Sequence, residues 1–517
     1  MKETLNIWQV VREYAGIAEA GGVKNVACSL AEGLVKAKQK VTVFMPFYAC
    51  TDTSKLSDFS KIPFIFSSIP CGENIYEISY MQGFTNGVRL ILVSNPIFTQ
   101  KQAVYTYTKQ EEMQNPQNKR GNGHNDVNIM NVVFQKAVIA FAQQSGEVPD
   151  IMQCQDAHTA LVPAFAKASP KLSEIFKNTK FFVTIHNAGV GYHQQFSSIK
   201  EAYQLTGLPM PMLFAGLVNE QIEPFLIAAF YARLFTVSPW YAKEITDPND
   251  VYSGDLAKYF VSKNIQIFGI TNGIDAFKYS PANPKVSLLP FAFNPSLGDL
   301  NGKYQCREWL LNRLEKNAVF DVPELSRFGY IDAKPQNVYF SSHGRIVSQK
   351  GIEILGNAAQ IVLEKNKNAC FIVLGQGEAR LENMQKELAE KYAGRYVYIH
   401  GYERMYARLC VAAGDFLLMP SFFEPCGLED FIAQIYGTVP VAHAVGGLNK
   451  IEEGKTGFLY SPNTPEILAN KIIELSEKMQ ANPHCLNEMI NYASCYVEKN
   501  YTWDSVIKQY YLPLYRE

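Results

Sequence analysis

Short apolar runs alternate with longer amphipathic stretches through most of the chain. Residues 41–45, 90–93, 181–185 and 234–237 are brief, rich in β-branched and aromatic side chains, and bounded by Gly, Pro, Asn or Ser. Such runs predict buried strands. Between them, residues 26–36 and 129–142 carry helical patterns. The rhythm restarts in the second half, with strands predicted at 338–341, 370–374, 396–400, 416–419 and 439–441. Helices are expected after Gln349, Gly377, Glu403 and Gly427. Strands alternating with helices predict α/β architecture with parallel sheets. Two such blocks meeting near Gly269 give the simplest parse. Residues 252–299, with many Pro, Ser, Asn and Gly, suit a linker region, and the polar run 101–125 suits a long surface loop.

A length of 517 residues fits two or three domains. Hydrophobic residues at 47% and charged residues at 19% suit a globular protein with a substantial core. A net charge of −1 gives no sign of a nucleic-acid partner. Ten cysteines run from Cys28 to Cys495 without a C-x-x-C pair, so they read as buried thiols in a reducing compartment. The first eleven residues do not resemble a secretory signal, and the longest apolar runs, such as 225–232, are too short to span a bilayer. These features lead to the expectation of a cytoplasmic protein with no membrane partner. The eight histidines show no metal-ligand spacing, so no metal site is expected.

Ligands of parallel α/β sheets bind beyond the carboxyl ends of strands. Asp156 and His158, His186, and Glu424 each follow a predicted strand. Gly21 and Gly22 precede a helix and could let backbone N–H groups approach a phosphate, although a simple turn accounts for the pair as well. Arg345 and Lys350 share a strand-to-helix turn, where they could neutralise a leaving diphosphate or could be two solvated loop cations. Glu424 stands before Pro425, and the backbone of 426–429 opens a helix, so Glu424 either meets a ligand or caps that helix. Cys426 reads as a small packed residue, because no neighbouring base is visible. Leu374-Gly-Gln-Gly-Glu378 lacks the third glycine of a dinucleotide fingerprint, with Arg380 in its place.

Taken in order, these segments resemble the glycogen/starch synthase family. Glu19-Ala-Gly-Gly22 stands where that family has Lys-x-Gly-Gly, and Gln155-Asp-Ala-His158 and Thr184-Ile-His-Asn187 follow. Next come Thr236-Val-Ser-Pro239, Asn272-Gly-Ile-Asp275 and Arg345-Ile-Val-Ser-Gln-Lys-Gly351. Pro420-Ser-Phe-Phe-Glu-Pro-Cys-Gly-Leu428 is the most specific signature, continued by Tyr436-Gly-Thr-Val-Pro440, Gly446-Gly-Leu448 and Trp503. The resemblance covers nearly the whole chain. It implies the GT-B architecture, in which two Rossmann-like, doubly wound parallel-sheet domains face across a cleft. On that basis the domains would be 1–268 on the acceptor side, 269–496 for the nucleotide sugar, and a helix at 497–517 crossing back to act with the linker as a hinge. Closure would exclude water.

The implied activity is retaining transfer of glucose from ADP-glucose or UDP-glucose to the non-reducing end of glycogen or another α-1,4-glucan, with no cofactor. The resemblance also assigns roles. Gly21, Gly22, Arg345 and Lys350 would hold the diphosphate, and Tyr402 would pack on the base. His186, Asn272 and Glu424, with the backbone of Cys426, Gly427 and Leu428, would grip the glucose, and Asp156 would lie on the acceptor side. Front-face attack through an ion pair is the expected route, with Glu424 orienting the sugar.

Three departures from the family pattern bear on donor choice. Glu19 replaces the lysine before Gly-Gly, Glu429-Asp430 replaces Thr-Gln, and His443 stands where arginine often occurs. Two other readings fit the same residues: a GT-B transferase with a different acceptor, or a catalytically silent glucan-binding protein.

Overall fold

The computed structural model describes residues 3–517. The chain divides into two compact units, 1–271 together with 506–517, and 272–505. The first carries a nine-stranded sheet ordered β11-β10-β7-β6-β1-β2-β5-β4-β3. In chain order these are β1 (Asn6–Val10), β2 (Lys40–Pro46), β3 (Ser57–Cys71), β4 (Asn74–Thr85), β5 (Val88–Ser94), β6 (Ile151–Gln155), β7 (Lys180–Ile185), β10 (Arg233–Thr236) and β11 (Ile267–Gly269). A separate two-residue pair, β8 (Leu217–Val218) and β9 (Gln221–Ile222), lies outside it. Seven strands of the main sheet run parallel, and their sequences are apolar because helices cover both faces. Trp8 of β1 and Phe44 of β2 anchor the core, with ring centroids 4.6 Å apart and Phe141 of the helix Val127–Ser145 packed on both.

The sheet is not wholly parallel, which corrects the expectation from pattern. β3 and β4 form a long antiparallel hairpin at the edge. Its sequence hid it, because β3 contains Pro63 and Pro70 and buries only scattered positions. Edge strands tolerate proline, which cannot donate to a ladder. The expected loop at 101–125 contains the helix Lys109–Gln114, started by a reciprocal cap between Thr108 and Glu111. The expected linker at 252–299 contains the helix Leu256–Ser262 and β11.

The second unit holds a seven-stranded sheet ordered β12-β15-β14-β13-β16-β17-β18. Its strands are β12 (Leu325–Ile331), β13 (Val338–His343), β14 (Ala369–Gly375), β15 (Arg395–Gly401), β16 (Phe416–Met419), β17 (Val439–His443) and β18 (Phe458–Tyr460). Only β12, absent from the sequence pattern, is antiparallel. Successive side chains of β14 enter opposite cores, Phe371 and Val373 on one face and Cys370, Ile372 and Leu374 on the other. Phe416, Phe340, Phe371 and Tyr396 form a stacked ladder across four strands, with centroids 5.1–5.7 Å apart. That ladder fixes the register, and so the level at which the strands end. Among the described residues no helix is long and apolar enough to cross a membrane.

Candidate functional site

In the first unit the polar residues gather at the carboxyl ends of β1, β6 and β7. Asp156 follows β6 directly, in a left-handed backbone conformation (φ 63°) that few aspartates adopt. Its carboxylate accepts the backbone N–H of His186 at 2.8 Å, tying the ends of β6 and β7 together. Burial pushes its pKa up to about 7, against the pull of that bond and one from Asn187. Burial lowers the His186 ring to about 4, so it is neutral near pH 7, with Nε2 2.7 Å from Gln155 Oε1. His158 lies against the Tyr105 ring. Arg12, buried beneath, is held by Tyr48, Asn131 and the carbonyl of Val104 at 2.7–2.8 Å.

The Gly-Gly loop differs from expectation in one respect. The N–H groups of Ala20 and Gly21 donate to the buried Glu13 carboxylate at 2.9 and 2.7 Å, so the Gly21 N–H is already engaged. Gly22 faces open space, where a Cβ would meet nothing within 4 Å. Glu19 accepts the Gly16 N–H at 2.6 Å and pairs with Lys24 at 3.1 Å. The charge that stands where the resembling family has lysine is thus offset locally.

In the second unit the candidates line the carboxyl edge of the sheet. Arg345 follows β13, is exposed, and donates to Gln349 at 3.2 Å. Its turn is braced by the Gly375–Gly377 segment. The Ile346 N–H donates to the Gln376 carbonyl and the Glu378 N–H to the Ile346 carbonyl, and a Cβ on Gly375 would fall 1.9 Å from the Gly344 carbonyl oxygen. These glycines therefore serve close packing of one loop on another. Lys350 Nζ lies 2.5 Å from Glu424 Oε2, and Ser421 Oγ is 3.3 Å from the same oxygen. Gly351 makes this possible: its φ is +66°, and a Cβ would fall 1.8 Å from the Pro420 carbonyl oxygen.

A groove runs along His343, Arg345, Lys350, Ser421 and Glu429, and continues past Tyr279, Tyr402, Arg404 and Arg408. Tyr402, at the end of β15, is 58% exposed. Asn272 is buried, and its Oδ1 has no hydrogen-bond partner among the described residues. Burial raises the Cys426 thiol to about 11 even with Lys450 nearby, so it is a packed thiol and not a thiolate nucleophile.

The remaining departures are also matched. Burial would lower the His343 pKa, but the Glu429 carboxylate at 3.2 Å raises it. Asp430 pairs with Lys450 at 3.0 Å. His443 Nδ1 is bonded to the Ser421 carbonyl oxygen at 2.8 Å, and burial keeps the ring's pKa low. Arg12, Glu13, His343 and Lys450 escaped the sequence reading. The first three lie at or just beyond strand ends, the signal that singled out Asp156 and His186. Lys450 follows Gly446-Gly447, and no sequence signal marked it. Among the described residues no cluster has the make-up of a metal site.

The starch synthase catalytic domain model matches residues 6–260, and the glycosyl transferases group 1 model matches residues 337–478. The glycogen synthase of Thermodesulfovibrio yellowstonii is 29% identical, over 96% of this chain and 95% of that protein. The chain belongs to the glycogen/starch synthase family. A second member, the glycogen synthase of Lactococcus lactis, is 26% identical over 98% of each chain. The catalytic domain of starch synthase IV from Arabidopsis thaliana, solved with ADP and acarbose, superposes with a TM-score of 0.79 at 22% identity over 99% of both chains. That likeness concerns the fold, which is GT-B. As a glycogen/starch synthase family member the protein is a glycosyltransferase.

Proposed function

We propose that the protein lengthens an α-1,4-glucan, transferring glucose with retention from ADP-glucose or UDP-glucose to the non-reducing end, as a cytoplasmic enzyme without a cofactor. The observation that carries this is the pairing of Lys350 with Glu424 at the carboxyl edge of the second sheet, in a groove shared with Arg345 and leading past the exposed Tyr402. Arg345 and Lys350 stabilise the departing diphosphate, which carries the negative charge that grows as the glycosidic bond breaks. Glu424 orients the sugar. Asn272, with its unpartnered buried oxygen, and the backbone of 426–428 hold the glucose, and Tyr402 packs on the base.

In the first unit the neutral His186 ring binds sugar hydroxyls, Gly22 offers its N–H to the diphosphate, and Asp156 serves the acceptor side. Attack from the leaving-group face, through an ion pair, places no covalent demand on Glu424. A trapped glucosyl ester on Glu424 would overturn that route.

The test is nucleotide release from ADP-glucose and from UDP-glucose, with and without glycogen, beside an Arg345→Ala/Lys350→Ala control. Glycogen-dependent release from one nucleotide sugar, lost in the control, supports the proposal and names the nucleotide. Folded protein that binds glycogen but releases nucleotide from neither refutes it.

A further inference from the structure

Lys450 is the side chain whose surroundings the proposed chemistry does not explain. It is almost wholly buried, yet its ammonium contacts four acceptors: the carbonyl oxygens of Cys426 (2.6 Å), Gly427 (2.8 Å) and Gly447 (3.1 Å), and Asp430 Oδ1 (3.0 Å). The Phe431 ring covers it, 4.5 Å from the ammonium. A buried ammonium is tolerated only when fully bonded and paired, and here both conditions are met.

The consequence lies in the loop it grips. In a trans peptide the C=O and the following N–H point in opposite directions across one plane. Drawing the carbonyls of Cys426 and Gly427 onto Lys450 therefore turns the N–H groups of Gly427 and Leu428 away from it. The same loop is pinned by the Gly447 N–H on the Glu424 carbonyl at 2.8 Å. Contact is so close that a Cβ on Gly447 would fall 2.0 Å from the Cys426 carbonyl oxygen, and one on Gly427 (φ +71°) would fall 3.1 Å from Lys450 Nζ. Asp430 cancels the lysine charge, so the clamp fixes geometry without adding a net field beside the diphosphate.

We infer that Lys450 is a positioning residue for the nucleotide sugar, holding the 426–428 backbone so that its N–H groups meet the bound donor both at the glucose and at the phosphate that adjoins it. This rests on the function proposed above. The second unit contains its own control. Lys303 is buried in the same manner, on the carbonyl oxygens of Ala412 and Gly414 and the hydroxyl of Thr438 at 2.6–2.8 Å, but grips no residue of the candidate site.

The experiment is calorimetric titration of ADP and UDP into the full-length wild type, Lys450→Met and Lys303→Met, with thermal melts and steady-state rates alongside. Wild type that binds neither nucleotide overturns both this inference and the proposed function. With wild-type binding established, Lys450→Met should raise the nucleotide Kd by about tenfold to a hundredfold, the loss expected from misaligning one or two hydrogen bonds to a charged ligand. The donor KM should rise with it more than kcat falls. Lys303→Met should lower the melting temperature and leave Kd within about twofold, since a loss of stability alone does not alter a folded site. Equal Kd values for wild type and Lys450→Met overturn the inference alone. Should Lys450→Met fail to fold, Lys450→Arg takes its place. Its guanidinium keeps the charge but cannot converge on four acceptors around one atom. A raised Kd supports the clamp, and an unchanged Kd overturns it.

Discussion

Replacing Glu424 with glutamine should tighten nucleotide binding while slowing the reaction. In the structure Lys350 is not a waiting cation, because its ammonium is held by the Glu424 carboxylate at 2.5 Å. An incoming diphosphate must share or displace that partner. The two side chains are 28% and 13% exposed, between a surface pair and a buried one. Surface pairs contribute about 0.2–1 kcal/mol, and stranding one partner of a buried pair costs about 3–5 kcal/mol. An intermediate figure of about 1–2 kcal/mol is reasonable here.

Glu424→Gln keeps the shape and one acceptor oxygen but removes the competing charge, so ADP or UDP should bind roughly 5–30-fold more tightly. The turnover number should fall by about 10²-fold, because the variant no longer orients the sugar through a charged group. Calorimetry gives the first quantity and nucleotide release the second. A Glu424→Gln protein that melts normally and binds nucleotide no more tightly than wild type would refute the reasoning, since Lys350 would then owe nothing to Glu424.

Three further outcomes are expected. Gly351→Ala should lower stability by at least about 2 kcal/mol, seen as a drop in Tm, because an alanine must both hold φ +66° and place a Cβ 1.8 Å from the Pro420 oxygen; a melt matching wild type would contradict this. The buried Asp156 carboxyl, raised from 3.8 to about 7, stabilises the fold while protonated, so its contribution is full below about pH 4 and is lost as pH rises through about 7. Asp156→Asn should therefore show a flatter Tm-against-pH curve between those limits, and an unchanged slope would count against the assignment. Glu19→Lys should lower the donor KM with little change in Tm, as its pair with Lys24 is solvated; an unchanged KM would mean that side chain 19 does not reach the diphosphate.

Hydrophobic pattern along the chain is enough to mark the elements that are buried on both faces. β2, β7, β14 and β16 are continuous apolar runs, and only a covered parallel strand tolerates such a run. It also marked Asp156, His186, Arg345 and Glu424, since reactive polar residues directly after such strands fall at the sheet's carboxyl edge. It could not reveal the edge strands β3 and β12, nor β4, which pairs with β3 and buries few of its positions. An edge strand half exposed to water loses the apolar run and can carry proline, so its pattern resembles that of a loop.

Tertiary structure alone decided which polar groups meet. Glu19, Glu429 and Asp430 stand in the sequence as unexplained acids. Folding gives each a base, Lys24, His343 and Lys450, the last two from segments 86 and 20 residues away. It likewise turned Lys350 onto Glu424, 74 residues distant, and closed Glu13 over the Gly21 N–H. Periodicity reports which face of an element is buried. Pairing between charges depends on where chain ends and turns converge in space, and no local pattern encodes that distance.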